Sequence, residues 1–329
     1  MNCKTMLTIG ECQELIDKAI REINLPAEPS QMYEPIRYVL KLGGKRIRPT
    51  LVIMACNVYS DNIKPAIYPA LAIEVFHNFT LLHDDIMDNA DFRRNHPTVH
   101  IKWNRNVGIL SGDAMLIKSY ELLSKASLKI LPGLFALFNK TALKVCEGQQ
   151  YDMNYEVKDK ITMEEYLKMI ELKTSVLIAA SLKMGAIVAG ANEKDTNLFY
   201  EFGRNLGIAF QLQDDFLDLY ADPYKFGKEL GNDIVSNKKT ILLVQAMQLA
   251  KGADKKRLTS WLRLKEFNRE EKIRAIGEIF DKLKLREITK KKIQTYYDIG
   301  IDYLNQIPVD STRKTELFNI ARIFLERSR

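Results

Sequence analysis

Apolar residues recur along this chain at intervals of three and four, segment after segment, and almost nowhere in strict alternation. Helices are predicted over about residues 8–24, 31–42, 45–59 and 65–89, then 107–129, 133–155, 163–190 and 194–221. Four more follow over about 238–251, 269–284, 286–305 and 312–327. The first ends near Asn24-Leu25-Pro26 and the second at Gly43-Gly44, a normal C-terminal signal, while Pro49 falls in a first turn that tolerates it. No run alternates well enough for a strand, and no Asn-Gly or Asp-Gly pair offers a hairpin turn. The longest apolar run, Ser175 to Ala191, is broken by Lys183 and reads as a buried core helix rather than a membrane span. The basic stretch Lys251–Lys265 is the one plausible seam, a loop leading into the next helix. With no low-complexity linker, the expectation is a single all-α domain over 1–329.

Composition changes this picture mainly by exclusion. A chain of 329 residues, 46% hydrophobic, has enough apolar material for a large core. Its four cysteines (Cys3, Cys12, Cys56, Cys146) show neither metal-ligand spacing nor a disulfide framework, which favours a reducing compartment, the cytoplasm. Glu11, Glu14 and Asp17 soon after Met1 do not suit a signal peptide. Asn78-Phe79-Thr80 matches a glycosylation sequon but falls inside an apolar helical run. The net charge of +7 raises the question of nucleic acid, yet there are no zinc spacings, basic-region heptads or RNP aromatics. The cations cluster in short groups at predicted loops, where a small polyphosphate ligand explains them better.

The candidate chemistry lies in two matching segments. Leu82-His83-Asp84-Asp85-Ile86-Met87-Asp88 is followed by Arg93-Arg94, and Phe210-Gln211-Leu212-Gln213-Asp214-Asp215-Phe216-Leu217-Asp218 repeats the spacing. On an ideal helix Asp84 and Asp88 lie about 40° apart and Asp85 about 100° from Asp84, so one face carries all three. Crowded carboxylates raise one another's pKa unless a cation neutralises them. Oxygen-only ligands at this density suit Mg²⁺, which takes one or two carboxylates plus substrate phosphates. A solvated acidic face would not need Ile86, Met87, Phe216 and Leu217 between its carboxylates; that filling implies a dry cavity.

The basic groups supply partners for a phosphate. Gly43-Gly44-Lys45-Arg46-Ile47-Arg48-Pro49 lacks the spacing of a P-loop but brings cations to a helix end. Arg93 and Arg94 leave the first aspartate segment, and guanidinium groups match phosphate oxygens bidentately. His77 lies about 20° from Asp84 on the wheel, two turns earlier. Lys173-Thr174 opens the apolar run from 175, and Gly227-Lys228-Glu229-Leu230-Gly231-Asn232-Asp233 and Asn237-Lys238-Lys239-Thr240 follow the second aspartates.

In identity, order and approximate spacing, these motifs over about residues 43–240 resemble the trans-prenyl diphosphate synthases. The resemblance implies an all-α isoprenoid-synthase bundle around a central apolar cavity, usually a homodimer. It implies Mg²⁺-dependent head-to-tail condensation of isopentenyl diphosphate with an allylic diphosphate, with three ions once diphosphate is bound. Carried over, Asp84, Asp85, Asp88, Asp214, Asp215 and Asp218 would hold Mg²⁺. Arg93, Lys173, Lys228 and Lys238 would contact the allylic diphosphate, and Lys45, Arg48, His77 and Arg94 the isopentenyl diphosphate. Thr174 shares the Lys-Thr motif, and Gln211 resembles a residue flanking the allylic substrate. Asn95 departs from the pattern, since many members place Gly after the arginine pair. The alternatives are a longer-chain synthase, a class I terpene cyclase and a regulatory subunit. A cyclase has no use for the Lys45/Arg48/His77 set, and a regulatory subunit none for two intact aspartate segments.

Product length is read from the helix before Asp84. Thr80, Phe79 and Phe76 lie roughly 6, 7.5 and 12 Å below that carboxylate at about 1.5 Å per residue. Resemblance to short-chain members points to Phe79 as the floor, although the wheel puts it about 140° from Asp84, against about 80° for Phe76 and about 40° for Thr80. The expectation is a C15–C20 product.

Overall fold

In the computed structural model, which describes residues 6–221 and 230–326, helices account for nearly all regular structure. They run α1 (Ile9–Arg21), α2 (Ser30–Lys41), α3 (Ile47–Tyr59), α4 (Ile67–Met87), α5 (Val99–Lys102), α6 (Arg105–Leu123) and α7 (Leu131–Glu156). After them come α8 (Met163–Ile170), α9 (Val176–Val188), α10 (Glu193–Tyr220), α11 (Asn232–Val235) and α12 (Ile241–Leu249). The last are α13 (Gly252–Arg263), α14 (Arg269–Lys282), α15 (Leu285–Asn305) and α16 (Ser311–Leu325). The all-α expectation holds. Several starts carry their own chemistry: at Thr8 and Thr162 the hydroxyl accepts from the amide three residues on, and Glu11 and Glu165 reach back to close capping boxes.

Contacts divide the chain into two compact units, and neither is continuous in sequence. The first comprises Met1–Asn139, Ala180–Phe199 and Pro308–Leu317; the second comprises Lys140–Ala179, Tyr200–Ile307 and Phe318–Arg329. In the first, α4 is the central element and packs on α3 and α6, with α2 against α6 and α1 against α3. Its residues from Pro69 to Phe76 are all buried, which accounts for a helix apolar all round. In the second, Tyr166, Ile208, Leu212, Phe216, Leu242, Ile276 and Phe280 form one apolar core joining α8, α10, α12 and α14.

Three features depart from the sequence reading. Lys251–Lys265 is largely helix, as α13, rather than loop; it buries only Leu258, so it lacks the apolar stripe by which helices are recognised. The predicted helix over 163–190 is interrupted by a π turn at Glu171–Ser175 between α8 and α9. A minimal hairpin pairs Phe92 with Pro97 and Arg93 with His96. Its loop residues Arg94 and Asn95 both have positive φ, 53° and 63°. That is the geometry a two-residue hairpin requires, and asparagine is among the non-glycine residues that adopt it most often, in place of the glycine expected at 95. Among the described residues no helix is long and apolar enough to cross a membrane. Cys12, Cys56 and Cys146 are free thiols.

Candidate active site

The end of α4 sorts its three aspartates into two kinds. Asp85 is buried, and both its oxygens accept from Nε of Arg93, at 2.8 and 2.9 Å, with Nη2 at 2.7 Å from Oδ1. Burial nevertheless raises its pKa, against the pull of Arg93. Asp84 is half-buried and Asp88, the C-cap of α4, is exposed. The three therefore do not act as one face: Asp85 is committed to Arg93, and the hairpin sets that arginine's position.

A cluster of arginines surrounds His77 in the same unit. Arg48 on α3 donates from Nη1 to His77 Nε2 at 3.0 Å. A guanidinium only donates, so Nε2 is the acceptor and Nδ1 carries the ring proton. Burial, then Arg48, Arg94, Arg93 and Arg46, hold the imidazole pKa well below its ordinary range. His77 is thus a neutral donor within a positive field. Arg94 donates to the carbonyl of Gly43, tying the arginine pair to the glycine turn. Arg46, at φ 46°, is buried and reaches Glu74 at 2.6 Å, Asp17 at 3.0 Å and the Leu40 carbonyl at 2.7 Å. It anchors the turn that presents Lys45, which is exposed.

The second unit repeats the division. Asp215 is buried and fully engaged: Tyr166 Oη donates to Oδ2 at 2.5 Å, the Ile241 amide at the start of α12 to Oδ2 at 3.1 Å, and Gln211 Nε2 to Oδ1 at 3.0 Å. Burial pushes its pKa up to about 6, against Lys238 and Tyr166. Asp214 is exposed and Asp218 half-buried. Burial, reinforced by Asp233, pushes Asp218 to about 6 as well, although the Asp233 amide donates to its Oδ2 at 3.0 Å.

Lysines complete this half. Lys173 Nζ lies 2.6 Å from Asp152 Oδ2, and Thr174 Oγ1 donates to Gln211 Oε1 at 3.0 Å. Both belong to the π turn, and glycines let other helices approach its backbone. A Cβ at Gly148 of α7 would lie 2.3 Å from the Lys173 nitrogen, and one at Gly207 of α10 would lie 2.7 Å from Ser175 Cα. Lys238 lies 3.7 Å from Asp233. Burial opposes its charge, but Asp233, Asp215, Asp152 and Asp214 hold its pKa above the ordinary range. Lys228 lies outside the described residues.

Asp233, Asp152, Tyr166 and Arg46 are functional neighbours that the sequence reading did not single out. Asp233 and Arg46 sat inside quoted motifs, whereas Asp152 and Tyr166 had no signal beyond a helical position. The turn carrying Asp233 is held from α14: Arg269 Nη2 donates to the Leu230 carbonyl at 3.1 Å and Asn232 Oδ1 at 2.9 Å. Buried Lys272 donates to the Val235 carbonyl at 3.0 Å.

The length-determining candidates occupy an aromatic ladder in the first unit. Ring centroids of His83 and Phe79 are 4.8 Å apart, of Phe79 and Phe76 5.7 Å, of Phe76 and Phe138 5.2 Å, and of Phe138 and Tyr120 5.0 Å. Phe76 is 1% exposed and Phe79 9%, so Phe79 has the more reachable edge. Thr80 Oγ1 is turned back to the His77 carbonyl at 2.8 Å.

The donor set fits a hard dication. Among the described residues no three metal-binding side chains are gathered into a finished cage. Mg²⁺ does not require one, since it binds through one or two carboxylates with phosphate and water completing the shell. Asp84, Asp88, Asp214 and Asp218 provide oxygens on surfaces that also carry lysines and arginines.

Residues 29–280 match the Polyprenyl synthetase family. The chain is 41% identical over 236 residues to a geranylgeranyl diphosphate synthase of Methanosarcina mazei, covering 71% of this chain and 72% of that one. With a geranylgeranyl diphosphate synthase of Sulfolobus acidocaldarius it shares 39% identity over 282 residues, 84% of each chain. The crystal structure of a geranylgeranyl pyrophosphate synthase superposes with a TM-score of 0.93 at 40% identity, covering 98% of this chain and 99% of that one. The chain belongs to the polyprenyl synthetase family. It is a prenyltransferase.

Proposed function

We propose that this enzyme joins isopentenyl diphosphate head to tail to an allylic diphosphate, and that its product is short, C15 to C20. The reading rests chiefly on the arrangement common to both aspartate segments: one buried, hydrogen-bonded carboxylate holds its segment in place while its neighbours are presented beside cations. Asp84, Asp88, Asp214 and Asp218 would hold magnesium, with Asp85 and Asp215 as positioning groups. When bound, magnesium neutralises the negative charge of the departing diphosphate.

The allylic carbon–oxygen bond breaks and its electron pair leaves with diphosphate. The double bond of isopentenyl diphosphate then forms the new carbon–carbon bond, and the released diphosphate takes the proton lost in restoring an alkene. Lys173 and Lys238 are proposed to pair with the leaving group, as charges preorganised by Asp152 and Asp233 that need no rearrangement during reaction. Arg48, Arg94 and the Nδ1–H of neutral His77 are proposed to hold isopentenyl diphosphate, with Lys45 at the rim. Lys228 carries the role that the resemblance gives it, on the allylic diphosphate. Ile86, Phe216 and Leu217, buried between the carboxylates, are proposed to help keep water from the cation, whereas Met87 is exposed.

We propose one catalytic domain, because the chain passes back and forth between the two units. A homodimer is supported by α6, where Leu110 is 56% and Ile117 70% exposed on one row. The names of the relatives favour the C20 end of the range, and the free thiols favour the cytoplasm. Replacing Asp84 or Asp214 by alanine should lower turnover at least roughly a hundredfold, the scale of one lost transition-state charge contact. Near-normal turnover at saturating Mg²⁺ in either variant would sink the assignment.

A further inference from the structure

A second concavity in the second unit contains none of the aspartates or lysines assigned above to catalysis. Its volume is about 420 Å³, within the range of small-molecule sites. The walls are the connection from α7 to α8, the turn before α12, and the facing sides of α12 and α13. Lys160, Lys239, Lys255 and Arg263 stand around it, and none of them is in an ion pair among the described residues. Lys158 on the same rim is paired with Glu165 at 3.1 Å. Glu156 and Asp159 also line the site and attract Lys239, which leaves Lys160, Lys255 and Arg263 as the excess of cations. Beneath them Leu243, Val244, Met247 and Leu262 form an aliphatic floor.

This combination selects a ligand by chemistry. This excess of cations calls for an anion, and a phosphate or diphosphate can engage several at once. An inorganic ion would leave the floor unused. A nucleotide would need a ring to stack on, and the described lining includes no aromatic side chain. An aliphatic tail on a phosphorylated head uses both halves of the site.

We propose that this cleft binds an anionic amphiphile, an aliphatic chain with a phosphate or diphosphate head, and that the occupant regulates the enzyme. The route is short. Asn237 and Lys239 line the cleft and flank Lys238, whose amide donates to the Asp233 carbonyl at 2.9 Å. An occupant that draws Lys239 inward shifts the turn that presents Lys238. Chains of this chemistry arise both as prenyl diphosphates and as phospholipids, so the test must separate the two.

The probe is n-dodecyl phosphate below its micellar concentration, titrated calorimetrically into the intact enzyme. Wild type should show a binding event that Lys255→Ala/Arg263→Ala weakens about tenfold or more, as expected for two charge-assisted contacts. Both side chains are exposed, so melting temperature and both substrate KM values should not change. Met247→Gln, which polarises the floor, should weaken dodecyl phosphate but not inorganic phosphate. In assays the probe should give mixed inhibition against the allylic substrate. Binding unchanged in the double variant, or purely competitive inhibition, would place the amphiphile in the catalytic cavity and overturn the proposal. Inorganic phosphate binding as tightly as the probe would also overturn it. Binding seen only with phosphatidylglycerol vesicles would assign the cations to a membrane surface instead. Because calorimetry needs no turnover, the result stands apart from the proposed condensation.

Discussion

Tyr166→Phe removes one oxygen from the buried core of the second unit and leaves its shape otherwise unchanged. That hydroxyl donates to Asp215 Oδ2 at 2.5 Å, and without it Oδ2 retains only the Ile241 amide at 3.1 Å. A hydrogen bond to a charged acceptor contributes ~1.5–3 kcal/mol net. It favours the ionised carboxyl, so its loss should raise the Asp215 pKa from about 6 by ~1–2 units, at ~1.36 kcal/mol per unit. Wild-type Asp215 is already raised from 3.8 to about 6 by burial, so its own contribution to stability falls as pH rises through that interval. In the variant the interval extends upward. At about pH 8 the carboxylate is ionised in wild type, and the substitution should cost ~1.5–3 kcal/mol. At about pH 5 both proteins hold a largely protonated Asp215, and the cost should shrink to the ~1 kcal/mol of a neutral pair. Urea unfolding at the two pH values measures both costs without substrate or metal. An equal cost at both would show that Tyr166 is not bonded to a titrating carboxylate, and the positioning role of Asp215 would fail with it.

Loosening the turn around Asp233 should act on metal rather than on fold. Arg269→Ala removes the hydrogen bonds to Leu230 and Asn232, at about 1 kcal/mol each, and should raise the Mg²⁺ concentration for half-maximal activity several-fold while the protein stays folded; an unchanged Mg²⁺ requirement refutes the clamp. Arg48→Gln and His77→Ala should each raise KM for isopentenyl diphosphate about tenfold, equivalent to ~1.4 kcal/mol, with less effect on the allylic KM. Lys238→Ala should do the reverse, and the same shift for both substrates would mean the two diphosphate sites are misassigned. Phe79→Ala/Phe76→Ala opens the ladder at its reachable edge and should lengthen the product by one or more isoprene units. An unchanged product distribution on chromatographic analysis would place the floor elsewhere.

Most of the helical frame was legible because apolar spacing and burial coincide in α1, α2 and α10, and because α3 and α4 are long apolar runs buried on all sides. The period fails where burial does not set it. Helix α13 buries one apolar residue, and the hairpin at Phe92–Pro97 rests on two left-handed residues rather than on a strand pattern. Within the site, composition and spacing brought out the aspartates, the arginine pair and His77. They could not separate Asp85 from Asp84 or Asp215 from Asp214. That distinction comes from partners distant in sequence: Tyr166 is 49 residues from Asp215. Asp152 became visible only through its contact with Lys173, 21 residues away.

The π turn at Glu171–Ser175 makes chain length itself a determinant of this site. A π turn contains one residue more than an α turn, and each α-helical residue advances the chain by about 100°. Deleting any one residue there would close the segment at α pitch with α8 and α9 still nearly in phase, so the change would fall on the turn itself, whichever side chain was lost. Lys173 would swing away from Asp152, and Thr174 from Gln211. The glycines at 148 and 207 would then face the wrong backbone. Point substitutions on the exposed side of this turn should be absorbed, whereas single-residue deletions should abolish activity in a helix that otherwise remains intact.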